Sequence, residues 1–338
     1  MEPTEVEDPA KNKYTLKDIT PSTLSTVRGI VSDVMLDIPY YLSPEHNPKM
    51  LAACIGEANR IYRLWCQNNP GFSEWGRVHL IAHSLGSVMA IDILSQQPSQ
   101  VPPHLGDPSY PEDELPKDQF IFDTKSLFVC GSPVGFFLLL KNAALLPRRD
   151  KEKPGAESYA TPGVAGEQGT YGCIAVDNIY NILNPYDPVA YRLNAAVDVL
   201  YADTLKPALV PSAETSWFAF SNPFRSTPPS SSAFSHRNTL NRLPSNVELE
   251  THNFTREEIA EKRAYLLNDN GQIDWFMKYG GGPLEIQYLT MLGAHSSYWI
   301  SRDFVRMIVV EVGRAFGRSG TVEAMRAVKR KMAGVQSG

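Results

Sequence analysis

The sequence predicts an α/β fold organised round a mostly parallel sheet. Short, largely apolar runs at 78–81, 127–130 and 178–183 have strand character. Polar and apolar residues do not alternate strictly along them, as expected of strands covered on both faces. Between them lie segments whose apolar residues recur at helical spacing, and strands alternating with helices build parallel sheets.

Thr20-Pro21 opens a first helical stretch with Leu24, Val27, Val31 and Val34 on one face. Leu51, Ile55, Ala58, Tyr62 and Trp65 repeat the spacing in a second, stopped by Asn68-Asn69-Pro70-Gly71. The 78–81 strand leads through a tight segment, 82–86, into a helix over 87–94. Residues 97–118, rich in Pro and acid, read as a loop. The strands at 127–130 and 178–183 end at Gly131-Ser132-Pro133 and Asn184-Pro185. Thr255-Arg256-Glu257-Glu258 is a capping-box pattern that starts a helix. Residues 272–278 and 284–289 look like strands, and 301–316 and 321–332 look helical. Residues 1–15 have the composition of a disordered N-terminus, and 147–172 and 211–246 that of disordered insertions, within one folded domain over 16–338.

Composition narrows the class. The chain has 338 residues, 43% hydrophobic and 20% charged, which argues against wholesale disorder. A net charge of −5 argues against a general nucleic-acid binder. Cys54, Cys66, Cys130 and Cys173 form no CxxC pair and read as reduced, buried thiols. The polar, acidic start is no secretory signal. The longest uncharged apolar stretch, 126–140, is broken by Pro133 and two glycines and is shorter than the ~20 residues a spanning helix needs. The expectation is a cytoplasmic protein.

The most informative segment is Val78-His79-Leu80-Ile81-Ala82-His83-Ser84-Leu85-Gly86-Ser87. It reads strand, sharp turn, helix, with small residues two before and two after Ser84. That is the context of a nucleophile elbow in an α/β-hydrolase-like sheet. The N–H of Leu85, at the helix start, is placed to hold an oxyanion. A serine hydroxyl needs a base to take its proton. Of the histidines that follow, His104 and His236 lie in Pro-rich or Ser/Pro-rich loops and His252 in a polar stretch. His295 follows a strand-like run and precedes Tyr298-Trp299, so it is the candidate base. Asp187, just past the 178–183 strand, is the candidate acid, and Asp274 is its rival. The ordinary reading of either is a turn or capping Asp.

Taken together, several stretches resemble the DDHD-domain family of intracellular phospholipases A1. They include Leu16-Lys17-Asp18-Ile19-Thr20-Pro21, His83-Ser84-Leu85-Gly86-Ser87, Cys130-Gly131-Ser132-Pro133 and Asn184-Pro185-Tyr186-Asp187-Pro188-Val189-Ala190-Tyr191-Arg192. Ile273-Asp274-Trp275, His295-Ser296-Ser297-Tyr298-Trp299 and Asp303 complete the set. The similarity is to the C-terminal portion of such proteins, with the DDHD part at about 120–316. The family's four letters map onto Asp187, Asp274, His295 and Asp303. The resemblance implies a serine hydrolase of glycerophospholipids, often preferring phosphatidic acid and working at the membrane surface. Relatives carry upstream strands, one ending in a His-Gly-x-Gly-Gln run that nothing in 1–13 matches. The resemblance therefore implies a mostly parallel sheet lacking its N-terminal strands.

Other readings stay open. Asp187, Asp274, His295 and Asp303 could instead hold a divalent metal such as Mg²⁺, Ca²⁺, Mn²⁺ or Zn²⁺. A non-catalytic lipid-binding or metal-binding module is the alternative to the enzyme, which itself requires no cofactor. Asp303, two residues after Ser301, has a first-turn helix role as its ordinary reading. Trp217-Phe218-Ala219-Phe220 and Phe224 could dip into a bilayer, form a lid or dock on the core. The basic tail of Arg314, Arg318, Arg326, Lys329, Arg330 and Lys331 could bind anionic headgroups or be a solvated helix end.

Overall fold

A computed structural model describes residues 37–151, 153, 163–212, 255–278 and 293–330. Helix α1 (Asn47–Asn68) and a single turn, α2 (Phe72–Trp75), precede the first strand. Strand β1 (Val78–His83) runs into α3 (Leu85–Gln96), and β2 (Thr124–Cys130) runs into α4 (Val134–Leu140). Two short strands, β3 (Leu146–Pro147) and β4 (Cys173–Ile174), pair with each other. Next come β5 (Val176–Leu183), the short helices α5 (Asn194–Val197) and α6 (Val199–Thr204), and β6 (Ala208–Leu209). Then come α7 (Arg256–Leu267), β7 (Asp274–Phe276) and α8 (Arg302–Gly313).

The main sheet has five strands in the order β1-β2-β5-β7-β6, and each pairing is parallel. The predicted α/β-hydrolase-like class with a mostly parallel sheet is what the chain adopts. The central strands explain why the pattern does not alternate. Leu127, Val129 and Ile179 face a core shared with Val88, Ile91 and Leu94 of α3. Phe128, Cys130, Tyr180 and Ile182 face a second core with Trp275, Phe304 and Met307. Both faces are dry, so every position favours an apolar side chain.

Boundaries differ modestly from the expectation. The 272–278 strand shortens to Asp274–Phe276, and the predicted capping box at Thr255 forms as read. Among the described residues of the predicted 321–332 helix, 321–330, no α-helix forms, and a single 3₁₀ turn lies at Glu323–Met325. The chain instead lies along 204–206, with Lys206 N–H donating to Val328 O and Arg330 N–H to Thr204 O. The tail cations are also spent internally. Arg314 pairs with Glu311 and Asp269, Lys329 pairs with Glu257 and Glu261, and Arg318 lies over the Tyr265 ring. The solvated-helix-end reading is thus corrected for these residues, while Lys331 lies outside the described residues.

The described part of 147–172 is also ordered, against expectation. Arg148 is buried, and its guanidinium donates to the carbonyls of Leu94, Ser95, Gln97 and Cys173 at 2.5 to 3.0 Å. Lys153 is buried against Asp269 at 2.9 Å and donates to the carbonyls of Asp177, Tyr265 and Leu266. A cation with that many acceptors reads as polar in sequence yet serves as an internal staple. Cys54 is exposed, not buried like Cys66, Cys130 and Cys173. The predicted helix at 20–34, the strand at 284–289, the 211–246 linker beyond Ser212 and the 217–224 aromatics lie outside the described residues.

Two outcomes follow from this packing. Removing the Arg148 fork takes away four hydrogen bonds to buried carbonyls, of which Leu94 O and Ser95 O keep donors in Ala175 and Gly169 N–H, so Arg148→Met should destabilise the fold by roughly 3 kcal/mol, read by denaturant unfolding. His79 on β1 has no partner at either ring nitrogen. Burial, followed by the charge of Arg77, pushes its pKa down to about 4. Its folded pKa lies below the unfolded one, so the unfolded state binds more protons between about 6.5 and 4. Stability should therefore fall as pH drops through that window, and His79→Leu should flatten the fall in a melting series.

Candidate active site

The site forms at the C-terminal ends of the parallel strands. At the end of β1 the chain must reverse into α3 within one residue. Ser84 takes the strain, with φ 51° and ψ −129°. A non-glycine residue with positive φ persists only where its surroundings hold it. Here Ser84 N–H donates to Cys130 O at 3.1 Å, Ser87 N–H donates to Ser84 O at 3.0 Å, and Ser87 Oγ also donates to Ser84 O. Ser87 Oγ in turn meets Ser132 Oγ at 2.7 Å. Leu85 is the first residue of α3, where backbone N–H groups have no helical acceptor.

Asp187 sits in the turn after β5. Its backbone N–H donates to Asn184 O at 3.0 Å, and its Oδ1 accepts from Val189 N–H at 2.9 Å. The carboxylate is buried, and both oxygens lie 3.0 Å from His295 Nδ1. Tyr298 Oη donates to Asp187 Oδ2 at 2.8 Å while accepting from Asn184 N–H at 2.9 Å. Burial alone would raise the Asp187 pKa. The hydrogen bond and charge of His295, with the donors from Val189 and Tyr298, outweigh it and hold the carboxyl below the usual range. An ionised Asp187 fixes the proton on His295 Nδ1 and leaves Nε2 as the basic atom.

His83, one residue before Ser84, lies against His295 with ring centroids 4.5 Å apart and the rings tilted by 38°. Its Nε2 lies 2.6 Å from His295 O, so it donates there and braces the His295 backbone. Burial pushes its pKa down, which keeps it neutral beside His295. Gly131 follows β2 with φ 55°, and a Cβ there would come within 2.9 Å of Asp187 Oδ2 and 3.0 Å of His295 Nδ1. The structure thus brings Ser84, Asp187 and His295 to one end of the sheet. Ser84 Oγ and His295 Nε2 are not hydrogen bonded to each other in this state.

Asp274 plays a different part. Its carboxylate accepts from Asn181 Nδ2 at 2.9 Å, Leu193 N–H at 2.8 Å and Asn194 N–H at 3.0 Å, and none of its hydrogen bonds reaches His295. It ties the loop after β5 to β7. Burial raises its pKa despite these donors. Asp303 lies in the first turn of α8, after the N-cap Ser301. Among the described residues no three His, Cys, Asp or Glu side chains converge as a metal would require, so Asp187, Asp274, His295 and Asp303 do not form one ligand set. Tyr298, His83 and Gly131 were not singled out by sequence reasoning. Their signal lay inside the quoted motifs, where a residue's role cannot be separated from its neighbour's.

A parallel sheet with a strained serine at a strand–helix turn and an Asp–His pair beside it defines an α/β-hydrolase-like protein. The family model described as the DDHD domain matches residues 120–248 and 220–313, and the chain belongs to that family. It is similar to a probable mitochondrial phospholipase of Schizosaccharomyces pombe, 28% identical over 88% of this chain and 40% of the relative. It is also similar to the human phospholipase DDHD1, 27% identical over 62% of this chain and 25% of the relative. The human triacylglycerol hydrolase DDHD2 is 23% identical over 89% of this chain and 59% of the relative. This chain thus spans about 40% of the length of the fission-yeast relative. No solved structure matches.

The two acids should separate experimentally. Asp274→Ala strands three donors and should lower stability by about 2–3 kcal/mol in denaturant unfolding. Tyr298→Phe, which removes one donor to Asp187, should raise the Asp187 pKa and shift the acidic limb of any activity profile to higher pH.

Proposed function

We propose that this chain is a lipid-ester hydrolase that cleaves a fatty-acyl ester of glycerophospholipids, phosphatidic acid among them, at a membrane surface. The observation that carries the reading is the Asp187–His295 pair, hydrogen bonded at 3.0 Å at the sheet end where Ser84 sits at the elbow. The names of the relatives, phospholipases and a triacylglycerol hydrolase, support the same substrate class.

In the proposed route Ser84 Oγ attacks the acyl carbonyl carbon as His295 Nε2 takes the hydroxyl proton. The Leu85 N–H donates to the oxyanion, and the ionised Asp187 stabilises the imidazolium. Collapse breaks the ester bond, and His295 returns its proton to the departing lysolipid alkoxide. Water then gives a proton to His295 and attacks the acyl-serine, which releases the fatty acid and restores Ser84. The route draws on no cofactor. The sn-1 position and the phosphatidic-acid preference rest on the family resemblance.

A peripheral mode of membrane association accords with the described helices, none of which is long and apolar enough to cross a membrane. The fission-yeast relative is named mitochondrial, whereas sequence reading pointed to the cytoplasm. A second reading, a non-catalytic membrane-binding module, is favoured by the missing Ser84–His295 hydrogen bond. Free catalytic sites often hold that contact long until substrate arrives.

Fatty-acid release from phosphatidic-acid vesicles decides between them. Ser84→Ala should abolish release, and Asp187→Asn should slow it by about 10⁴-fold with the fold intact. A folded parent chain that releases no fatty acid selects the binding module.

A further inference from the structure

The end of the sheet that carries the candidate site is also where large apolar side chains stand in water. Helix α4, which follows β2, exposes Phe136, Leu139 at 75% and Leu140. The loop after β5 exposes Tyr191, whose ring stacks on Phe136 at 5.7 Å. The turn after His295 exposes Trp299 and, at 86%, Ile300. Trp299 sits edge-on to His83 at 5.8 Å, so this apolar rim adjoins the candidate site itself. Isolated exposed apolar residues are ordinary, but a group gathered round one site mouth is a contact surface.

Charge says what the surface meets. Segments 131–141, 184–192 and 293–302 contain one carboxylate, Asp187, and it is buried. The same segments carry the exposed Arg192 and Arg302, neither of which forms an ion pair among the described residues, although the charge of Arg192 also acts on the buried Asp274. The opposite, N-terminal end of the strands carries the acidic loop, with Asp107, Glu112, Asp113, Glu114 and Asp118 all exposed. A chain of net charge −5 therefore presents an aromatic and basic face, poor in acid, at one end and an exposed acidic loop at the other. Trp and Tyr favour the headgroup level of a bilayer, and Arg favours an anionic leaflet. A protein partner would be matched by a mixture of charges, whereas an acid-poor apolar rim suits a uniformly anionic, laterally fluid surface.

We propose that the face formed by Phe136, Leu139, Leu140, Tyr191, Trp299 and Ile300, flanked by Arg192 and Arg302, seats the molecule on an anionic lipid bilayer with the candidate site facing the membrane. The proposal deepens the lipid-ester hydrolase reading and rests on it for the choice of surface. Apolar side chains anchor the face, and the charge asymmetry orients the approach. Ester bonds of lipids in the leaflet then lie against the Ser84 end of the sheet.

The test uses the full chain with Ser84→Ala, so that no ester is cut, and sedimentation with vesicles of phosphatidylcholine and phosphatidylserine. Adding Leu139→Asp or Ile300→Asp alone should raise the lipid concentration for half-maximal binding by about tenfold, and the double variant by about a hundredfold, each lost apolar contact being worth roughly a factor of ten. Both positions are exposed, and an unchanged melting temperature verifies the fold. Ile61→Asp, exposed on α1 away from this face, should leave binding unchanged. Binding of the parent should weaken as salt is raised. The proposal is overturned if the double variant binds like the parent, if Ile61→Asp weakens binding equally, or if the parent ignores vesicles. It is also overturned if the double variant converts a dimer to a monomer in light scattering, which would assign the face to a second copy. Because binding is read without turnover, vesicle binding by the Ser84→Ala chain together with no fatty-acid release by the unsubstituted chain sinks the hydrolase reading and leaves the face standing.

Discussion

The geometry of the site depends on one buried carboxylate. Asp187 is removed from water yet held ionised by His295, Val189 N–H and Tyr298 Oη. A buried charge with one fewer donor would drift toward the neutral form, and His295 would lose the partner that fixes its tautomer. The demand for those donors propagates outward. Tyr298 must be within reach, so the turn after His295 is pinned to Asn184. Gly131 must be a glycine, because a Cβ would enter the space between Asp187 and His295. His83 braces the His295 backbone from β1, which links the acid–base pair to the strand that carries Ser84.

The parallel sheet makes this economy feasible. Strands β1, β2, β5 and β7 run the same way, so their C-terminal ends deliver loops to a single edge. Ser84, Gly131 and Asp187 each lie just past the end of one such strand. Asp274, at the start of β7, lies opposite Asn181, two residues before β5 ends. It is consumed as an acceptor for the loop that follows β5. Two carboxylates quoted side by side in the family motif thus do unrelated work, one orienting an imidazole and one fastening a loop.

How much was legible in the sequence follows from whether a signal is local. Strand apolarity, the elbow at Ser84 and the capping box at Thr255 are short-range patterns, and each appears where it was read. The place of Asp187 at a strand end was legible, although the histidine it meets lies 108 residues away. What could not be read was where a polar residue spends its charge. Arg148, Lys153 and Arg314 look like surface cations in a linear chain, and only the fold shows that their acceptors are backbone carbonyls or buried acids. The failed helix over 321–330 has the same origin, since its apolar spacing was outweighed by backbone pairing to 204–206. The exposed rim of Leu139, Trp299 and Ile300 was likewise invisible, because its members come from separate segments.

The central claim is that Ser84 is a hydroxyl activated by His295 and Asp187. Mapping the adduct of a fluorophosphonate by peptide mass spectrometry tests it directly. The account predicts one phosphonylated serine, in the peptide that contains Ser84, and loss of the adduct in His295→Ala protein that remains folded. A folded, unlabelled parent chain, or an adduct on another serine that persists without His295, would contradict it.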